Sequence, residues 1–222
     1  MEADRSAIHI DADAVILLFP AYAYGPPIIV RDFVRKAVFN TPYCAALVTY
    51  GTSPGGALAD ICRILKKKGI GAIYCGRIPA VENYIAIFGP QSEKTQEKRF
   101  AMQKEATDQA VRIIATRATN SISLFHPVSR LISFLFSLGK RVFYSWYRVH
   151  DTCTGCGICA EVCPVGAIRI ANGRPVFSKK CEHCNGCLAW CPQKSIEFGR
   201  LKPEVPHYTH PEIRATEMKR QG

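Results

Sequence analysis

Eight of the eleven cysteines in this 222-residue chain fall into two runs that have the same spacing. In each run, three cysteines stand three positions apart, and a fourth cysteine, followed by proline, stands four positions after the third. Thiolates are soft ligands that suit zinc and iron–sulfur clusters. Two residues between successive cysteines let three thiolates of one run point into one small turn, so the spacing predicts metal centres. The runs are Cys153, Cys156, Cys159 and Cys163, and Cys181, Cys184, Cys187 and Cys191.

Zinc is the alternative to iron–sulfur chemistry at these cysteines. Zinc sites usually join two C-x2-C half-sites across a loop, and they take four ligands without a third cysteine in step. In this chain three cysteines come in step twice, and both runs end in Cys-Pro. The sequence therefore favours iron–sulfur clusters over structural zinc sites.

The two runs resemble the ligation pattern of bacterial ferredoxins with two [4Fe–4S] clusters, in which the fourth cysteine of each run binds the other cluster. The resemblance implies a small α+β ferredoxin domain over residues 144–200. Gly155, Gly157 and Gly186 are expected to leave room for backbone N–H groups near the sulfides. The implied ligands are Cys153, Cys156, Cys159 and Cys191 for one cluster, and Cys181, Cys184, Cys187 and Cys163 for the second.

The first half of the chain has the pattern of a parallel α/β sheet. Short apolar runs at 14–20, 45–50 and 71–79 have the length of strands that are buried on both faces. Residues 26–40 and 57–69 combine apolar and charged residues at helical spacing, so we expect a helix between each pair of strands. The order strand–helix–strand–helix–strand predicts parallel strands joined by crossovers.

Two loops, at 20–27 and 51–56, follow strand ends, where open α/β sheets bind their ligands. With "TSPGGAL", "NYIAIFGP" at 83–90, the basic connector and both cysteine runs, the chain resembles flavodoxin–ferredoxin fusion proteins of the EFR type. The resemblance implies an FMN-binding flavodoxin-like domain over 1–117. From the residues alone, tyrosines beside Gly-Pro-Pro are more typical of loop packing. The residues that the resemblance places at the flavin ring are Tyr22, Tyr24, Thr52, Ser53 and Gly55.

One departure from that family concerns the N-terminus. A flavodoxin-like domain opens with a strand and a loop that holds the FMN phosphate at a helix N-terminus. Here only thirteen residues precede the first apolar run. We therefore expect an N-terminally incomplete flavodoxin-like sheet, weakened FMN binding, and an edge strand whose unpaired apolar flank associates with another chain.

Residues 118–143 are predicted to be a basic helical connector, following a charged helix over 92–117. Between Gln109 and His150 there are six Lys or Arg residues and no acidic residue. We favour a connector packed between two domains. The alternatives are a basic amphipathic helix on a membrane surface within 118–150 and a docking site for an acidic protein.

Composition excludes several other classes of protein. The net charge is +11, but none of the usual nucleic-acid-binding motifs is present. The acidic, polar N-terminus does not resemble a signal peptide, and no apolar run is long enough to span a bilayer. We expect a cytoplasmic protein with reduced thiols, in which Cys44, Cys62 and Cys75 are buried structural residues rather than redox groups. Residues 201–222 are expected to form a polar tail.

These features predict an electron-transfer protein with two [4Fe–4S] clusters that exchanges electrons with an FMN, if one is bound. Its partner would be a redox protein, and the positive charge favours an acidic one. The alternatives are a flavin-dependent reductase of a small substrate, fed by its own ferredoxin domain, and a remnant that has lost its flavin. We expect an electron carrier rather than a stand-alone enzyme.

Overall fold

The structure is a computed structural model that describes residues 8–84, 88–199 and 208–218, without the side chains of residues 140 and 141. The chain divides into two compact units. The first unit holds the described residues up to 81 and those from 92 to 135, and the second holds residues 82–91 and those from 136 onward. Parts of the 83–90 motif and of the predicted tail lie outside the described residues.

The first unit is a mixed α/β structure, as the order of apolar runs predicts. The three predicted strands and the helices between them are confirmed. In chain order its elements are β1 (His9–Asp11), β2 (Val15–Pro20), α1 (Ile28–Lys36), β3 (Val38–Asn40), β4 (Cys44–Tyr50), α2 (Ala57–Lys67), β5 (Ile73–Pro79), α3 (Glu93–Ala115) and the beginning of α4 (Pro127–Phe143).

The central sheet has the strand order β2-β4-β5, and all its strands are parallel. In the strand register, Val15 of β2 pairs with Cys44 of β4, and Cys44 pairs with Ile73 of β5. Strand β4 lies in the middle, so its residues from Cys44 to Val48 are all buried. Parallel strands are thus confirmed, whereas a flavodoxin-like identity for this sheet stays a prediction.

Both faces of the sheet carry an apolar core. On one face, Val34 of α1 and Ile61 and Leu65 of α2 pack with the apolar side chains of β2 and β4. On the other face, Ala110 of α3 packs against a cluster that includes Tyr43. Helix α3 is otherwise charged, and Ala110 is its only buried residue among those that the structure describes.

The two outer edges of the sheet differ. Along β5, the Asn120 side chain accepts a hydrogen bond from the Cys75 N–H at 2.7 Å and donates one to the Cys75 carbonyl at 3.0 Å. Among the described strands, β2 pairs with β4 alone. Its outward side chains Ile16 and Leu18 are 55% and 62% exposed. The apolar flank predicted for the edge strand is therefore present.

The helix predicted over 26–40 is shorter than expected. Helix α1 ends at Lys36, because Ala37 takes an extended conformation with φ −63° and ψ 140°. Residues 38–40 then form β3, which pairs in parallel with β1. Val38 and Phe39 are β-branched and aromatic residues that suit a strand, and the neighbouring strand overrides the weaker helical pattern.

The predicted helical connector over 118–143 is helical only from Pro127. Proline fixes φ and lacks an N–H, so it is favoured at the first position of a helix and not within one. Residues 118–126 run without a helix along the first unit, where the Ala118 carbonyl accepts a hydrogen bond from the Tyr43 hydroxyl at 2.9 Å. No described helix is both long and apolar enough to cross a bilayer.

The second unit is built from short strands and very short helices. Strands β6 and β9 pair antiparallel, and β7 and β8 form a hairpin. The hairpin turn is Asn172-Gly173, and both residues have positive φ, as a tight two-residue turn requires. Its elements after α4 are a 3-10 turn (Tyr144–Trp146), β6 (Tyr147–Val149), α5 (Ile158–Glu161), β7 (Ile168–Ala171), β8 (Arg174–Phe177), α6 (Gly186–Ala189), β9 (Ile196–Phe198) and a second 3-10 turn (Ala215–Met218).

Candidate metal centres

The first cysteine run is shaped by two glycines with left-handed backbone. Gly155 has φ +70° and Gly157 has φ +82°. A Cβ atom on Gly155 would lie 2.5 Å from the Gly173 carbonyl oxygen, so the run packs directly on the tip of the β7–β8 hairpin. Gly157 precedes α5, which carries the third cysteine of the run. The glycines therefore turn the chain so that successive cysteines face the same side.

The second run takes the same path with different residues. His183 and Asn185 occupy the positions that correspond to Gly155 and Gly157, and their φ values are +56° and +57°. Asparagine tolerates this conformation better than most residues, whereas histidine does so at some cost. Gly186, where the sequence predicts room for a backbone N–H near the sulfides, is the first residue of α6, and its N–H donates a hydrogen bond to the Cys184 sulfur. The expected approach of this N–H to a cysteine sulfur is therefore present.

Four cysteines from both runs line a single pocket. The pocket encloses about 340 Å³ of empty space, open solvent included. Its other walls come from the turns of the first run, from the β7–β8 hairpin and from the segment that leads into β9. The lining cysteines are Cys153, Cys156, Cys159 and Cys191, which are the four residues predicted for one cluster.

The electrostatic neighbours of Cys159 point to the same four residues. Burial raises the pKa of the Cys159 thiol to about 11, although a hydrogen bond from the Ala160 N–H opposes the shift. The three other thiols that line the pocket raise this pKa further. Four thiols this close oppose one another's ionisation, and a bound cation would offset the repulsion between the thiolates.

The remaining four cysteines also lie together. Burial raises the pKa of Cys184 to about 11, and Cys181 and Cys163 contribute to the rise. Burial likewise raises the pKa of Cys187 well above its ordinary value, with Cys184, Cys181, Cys159 and Cys163 as further causes. Cys163 of the first run thus lies beside two cysteines of the second run. Cys187 also lies near Cys159, so the two cysteine groups adjoin.

The fourth cysteine of each run accepts a backbone hydrogen bond. The Ala167 N–H donates to the Cys163 sulfur at 3.2 Å, and the Ser195 N–H donates to the Cys191 sulfur at 3.3 Å. In both cases the donor stands four residues after the cysteine, beyond the Cys-Pro turn. Such bonds favour the thiolate over the thiol and tune a bound cluster.

Aromatic rings lie around the second group of cysteines, which consists of Cys163, Cys181, Cys184 and Cys187. Tyr147 stacks on Phe177 with ring centroids 4.7 Å apart, and it lies 5.8 Å from the His183 ring. Its hydroxyl group donates to the Asn185 side-chain oxygen at 3.1 Å. Burial, with the nearby thiols as a second cause, raises the pKa of Tyr147 well above its ordinary value. Sequence reasoning missed Tyr147, His183 and Asn185, although the polar residues inside a C-x2-C-x2-C run were a usable signal.

The four thiols that line the pocket are arranged in a way that fits a cubane cluster. Among the described residues, no group of three or more His, Cys, Asp or Glu side chains is placed to hold one metal ion. A [4Fe–4S] cluster takes one thiolate at each of four separate irons, so its ligands surround a volume and do not converge on a point. The pocket lined by four cysteines has this character.

The loops predicted to hold a flavin contact each other directly. The Gly56 N–H donates to the Tyr24 carbonyl at 2.9 Å, and the Gly55 N–H donates to the Ser53 hydroxyl at 3.2 Å. A Cβ atom on Gly55 would lie 2.5 Å from the Tyr24 side chain. Tyr22 forms a tight bridge with Gly25, and Thr52 lies in the second loop. The Gly55 N–H is therefore bound within the protein, and a flavin site at these loops stays a prediction.

The three cysteines outside the runs are buried, as predicted. Cys44, Cys62 and Cys75 are at most 8% exposed, and the Cys62 and Cys75 sulfurs are 2.7 Å apart. The hydrogen bond between these thiols, with burial as a second cause, raises the pKa of Cys62. These cysteines belong to the core of the first unit.

The comparisons with known proteins found one family model and two relatives that match part of the chain. Residues 147–169 match the family model described as a 4Fe-4S binding domain. The chain is 46% identical over 47 residues to a component of the ion-translocating oxidoreductase complex of Methanosarcina acetivorans, covering 21% of this chain and 18% of that protein. It is 38% identical over 56 residues to an uncharacterized ferredoxin of Methanocaldococcus jannaschii, covering 23% of this chain and 31% of that protein.

The chain thus spans less than a third of the length of either relative. No solved structure matches it. The family match lies within the second unit, and membership of the flavodoxin–ferredoxin fusion family stays a prediction. The second unit contains a ferredoxin-like 4Fe–4S domain.

Proposed function

We propose that this chain transfers electrons through two [4Fe–4S] clusters held by its second unit. The observation that supports this most directly is the pocket lined by Cys153, Cys156, Cys159 and Cys191. The fourth member comes from the other run, as the ligation pattern of two-cluster ferredoxins requires. We assign these four thiolates to the first cluster.

We assign Cys181, Cys184, Cys187 and Cys163 to the second cluster. The support is the position of Cys163 beside Cys184 and Cys187. Each run then gives three thiolates to its own cluster and one to the other. This exchange holds the clusters next to each other, which suits the transfer of single electrons between them.

The surroundings of the two groups of thiols differ in exposure. Cys156 is exposed, whereas Cys187 is buried and lies near the Tyr147 ring. Cluster potential depends on solvent exposure and on hydrogen bonds to sulfur. We therefore infer that an external partner meets the first cluster, and that the second lies behind it in an apolar environment.

The partner we propose is another redox protein. One of the relatives is named as part of an ion-translocating oxidoreductase complex, and that name supports electron exchange with a protein rather than with a small substrate. Lys179 and Lys180 are exposed at the start of the second run, and the chain carries a net charge of +11. These charges favour an acidic partner surface.

Anaerobic reconstitution tests the proposal. We expect about eight irons and eight sulfides per chain, since each [4Fe–4S] cluster takes four cysteines. Reduction with dithionite should produce a paramagnetic signal from the clusters. Cys44→Ala is a matched control because Cys44 lies in the other unit, and it should leave the iron content unchanged. Tightly bound zinc without sulfide would overturn the proposal.

A flavin partner within the chain is the second candidate. It is favoured by the parallel sheet with loops at the ends of β2 and β4, and disfavoured by the contacts between those loops. Titration of the full chain with FMN tests it, with flavin fluorescence as the measurement. We expect no tight binding, and quenching at stoichiometric FMN would restore the flavin to the proposed electron path.

A further inference from the structure

Over its first three turns, helix α4 turns small polar side chains inward and large apolar side chains outward. Ser133 is only 6% exposed, and Ser129 is half-buried. By contrast, its large apolar side chains are between 38% and 70% exposed. We call these five residues the outer face of α4: Val128, Leu131, Ile132, Phe134 and Leu135.

The serines lie inside because the helix approaches glycine backbone very closely. A Cβ atom on Gly56 would lie 3.3 Å from the Ser129 Cβ, and one on Gly25 would lie 2.8 Å from the Ser133 Cβ. Only small side chains fit at such a contact. The large apolar side chains therefore point away from these glycines and are exposed.

The outer face is broad. At about 100° per residue, its five side chains cover roughly 160° of the helix circumference. A helix that packs against one other helix needs only a narrow stripe of apolar residues. A helix that binds a flat apolar surface can bury a wider apolar face. Phe125, just before the helix, is 81% exposed and extends the apolar area. Contiguous apolar surface of this kind marks a binding site for a protein or a membrane.

Charge argues against a second copy of the chain as the occupant. Within the first unit, residues 110–135 contain three Arg residues and no acidic residue. Arg130 stands beside the outer face and is 60% exposed, and its Nε lies 3.9 Å from an Asp60 carboxylate that Arg63 contacts at 2.6 Å. A second copy of the chain would bring like charges together. An anionic lipid surface complements both the charge and the broad apolar face.

We propose that the outer face of α4 binds the surface of an anionic lipid bilayer. The helix lies in the plane of the interface, with the outer face among the acyl chains and Arg130 near the lipid phosphates. Binding is peripheral. It needs neither cluster, so its failure would leave the proposed electron transfer untouched.

Co-sedimentation of the full chain with vesicles tests the proposal. We expect binding to vesicles of phosphatidylcholine mixed with anionic phosphatidylglycerol, much weaker binding to phosphatidylcholine alone, and a loss of affinity as salt is raised. The double variant Leu131→Gln/Leu135→Gln should lower the partition coefficient at least about tenfold. Arg130→Gln should lower it about fivefold.

Val111→Gln is the matched control. Val111 is 61% exposed, but it lies on α3 outside the outer face, so its replacement should leave vesicle binding unchanged. Far-UV circular dichroism checks that each variant is folded. If Leu131→Gln/Leu135→Gln unfolds the chain, Val128→Gln/Phe134→Gln makes the same test at neighbouring positions.

Three results would overturn the proposal. The first is the absence of sedimentation with any vesicle, and the second is an equal loss of binding in Val111→Gln. The third is a dimer in solution, or binding to polyglutamate, that the outer-face variants abolish while vesicle binding is unaffected. That result would assign the face to a second copy of the chain or to an acidic protein.

Discussion

The sulfur of Cys163 accepts a hydrogen bond from the backbone N–H of Ala167 at 3.2 Å. Cys191 and Ser195 repeat this relationship at 3.3 Å, so both runs end in the same local structure. In each, the Cys-Pro turn holds the fourth sulfur in a fixed position beside the other run. A local turn that occurs twice therefore supports the proposed exchange of one ligand between the clusters.

Pairs of cysteine substitutions should reveal this exchange. Cys191→Ala should lower the iron content to about four per chain, because one cluster loses a ligand. Cys153→Ala/Cys191→Ala should lose no more iron, since we assign both cysteines to the first cluster. Cys181→Ala/Cys191→Ala should lose nearly all of it. Equal iron contents in the two double variants would contradict the assignment.

Gly155→Ala should destabilise the second unit more than Gly157→Ala does. Both positions have left-handed backbone, which costs an alanine about 1–2 kcal/mol. Only at Gly155 would the new Cβ also meet a backbone atom, at 2.5 Å from the Gly173 oxygen. The midpoint of thermal cluster loss, followed by visible absorbance, measures the difference. The prediction fails if the two variants lose their clusters at the same temperature.

Tyr147→Phe should lower the free energy of unfolding of the second unit by about 1–3 kcal/mol, since it removes a donor from a buried acceptor. The tyrosine hydroxyl donates to the Asn185 oxygen at 3.1 Å, and Asn185 is buried. Denaturant unfolding under anaerobic conditions is the measurement. Tyr24→Phe, at an exposed position in the first unit, should have almost no effect on that transition.

Asn120→Ala should destabilise the first unit by about 1–3 kcal/mol, because two main-chain groups of β5 lose their partners. The Asn120 side chain bonds to both the N–H and the carbonyl of Cys75. Asn40→Ala removes an exposed hydrogen bond to Asp11 and should cost less than about 1 kcal/mol. Amide hydrogen exchange along β5 should rise in the first variant alone.

Short sequence patterns predicted the structural elements that are determined by neighbouring residues in the chain. The apolar runs that became β4 and β5 are mostly buried, as strands of a parallel sheet are expected to be, whereas β2 lies at the edge and leaves Ile16 and Leu18 exposed. The cysteine spacing likewise identified all the thiols that the structure gathers in the second unit. In contrast, β3 was predicted as helix, because its pairing with β1 is a contact that no short window contains.

The sequence by itself determined that eight thiols come in two equivalent runs, because ligand spacing is a covalent property of the chain. Only the tertiary structure decided that the flavin-type loops contact each other and that α4 presents apolar side chains to solvent. Both follow from close approaches at Gly25, Gly55 and Gly56, where the lack of a side chain admits a distant segment. A glycine in the sequence shows that another segment can approach the backbone there, and only the fold determines which segment does so.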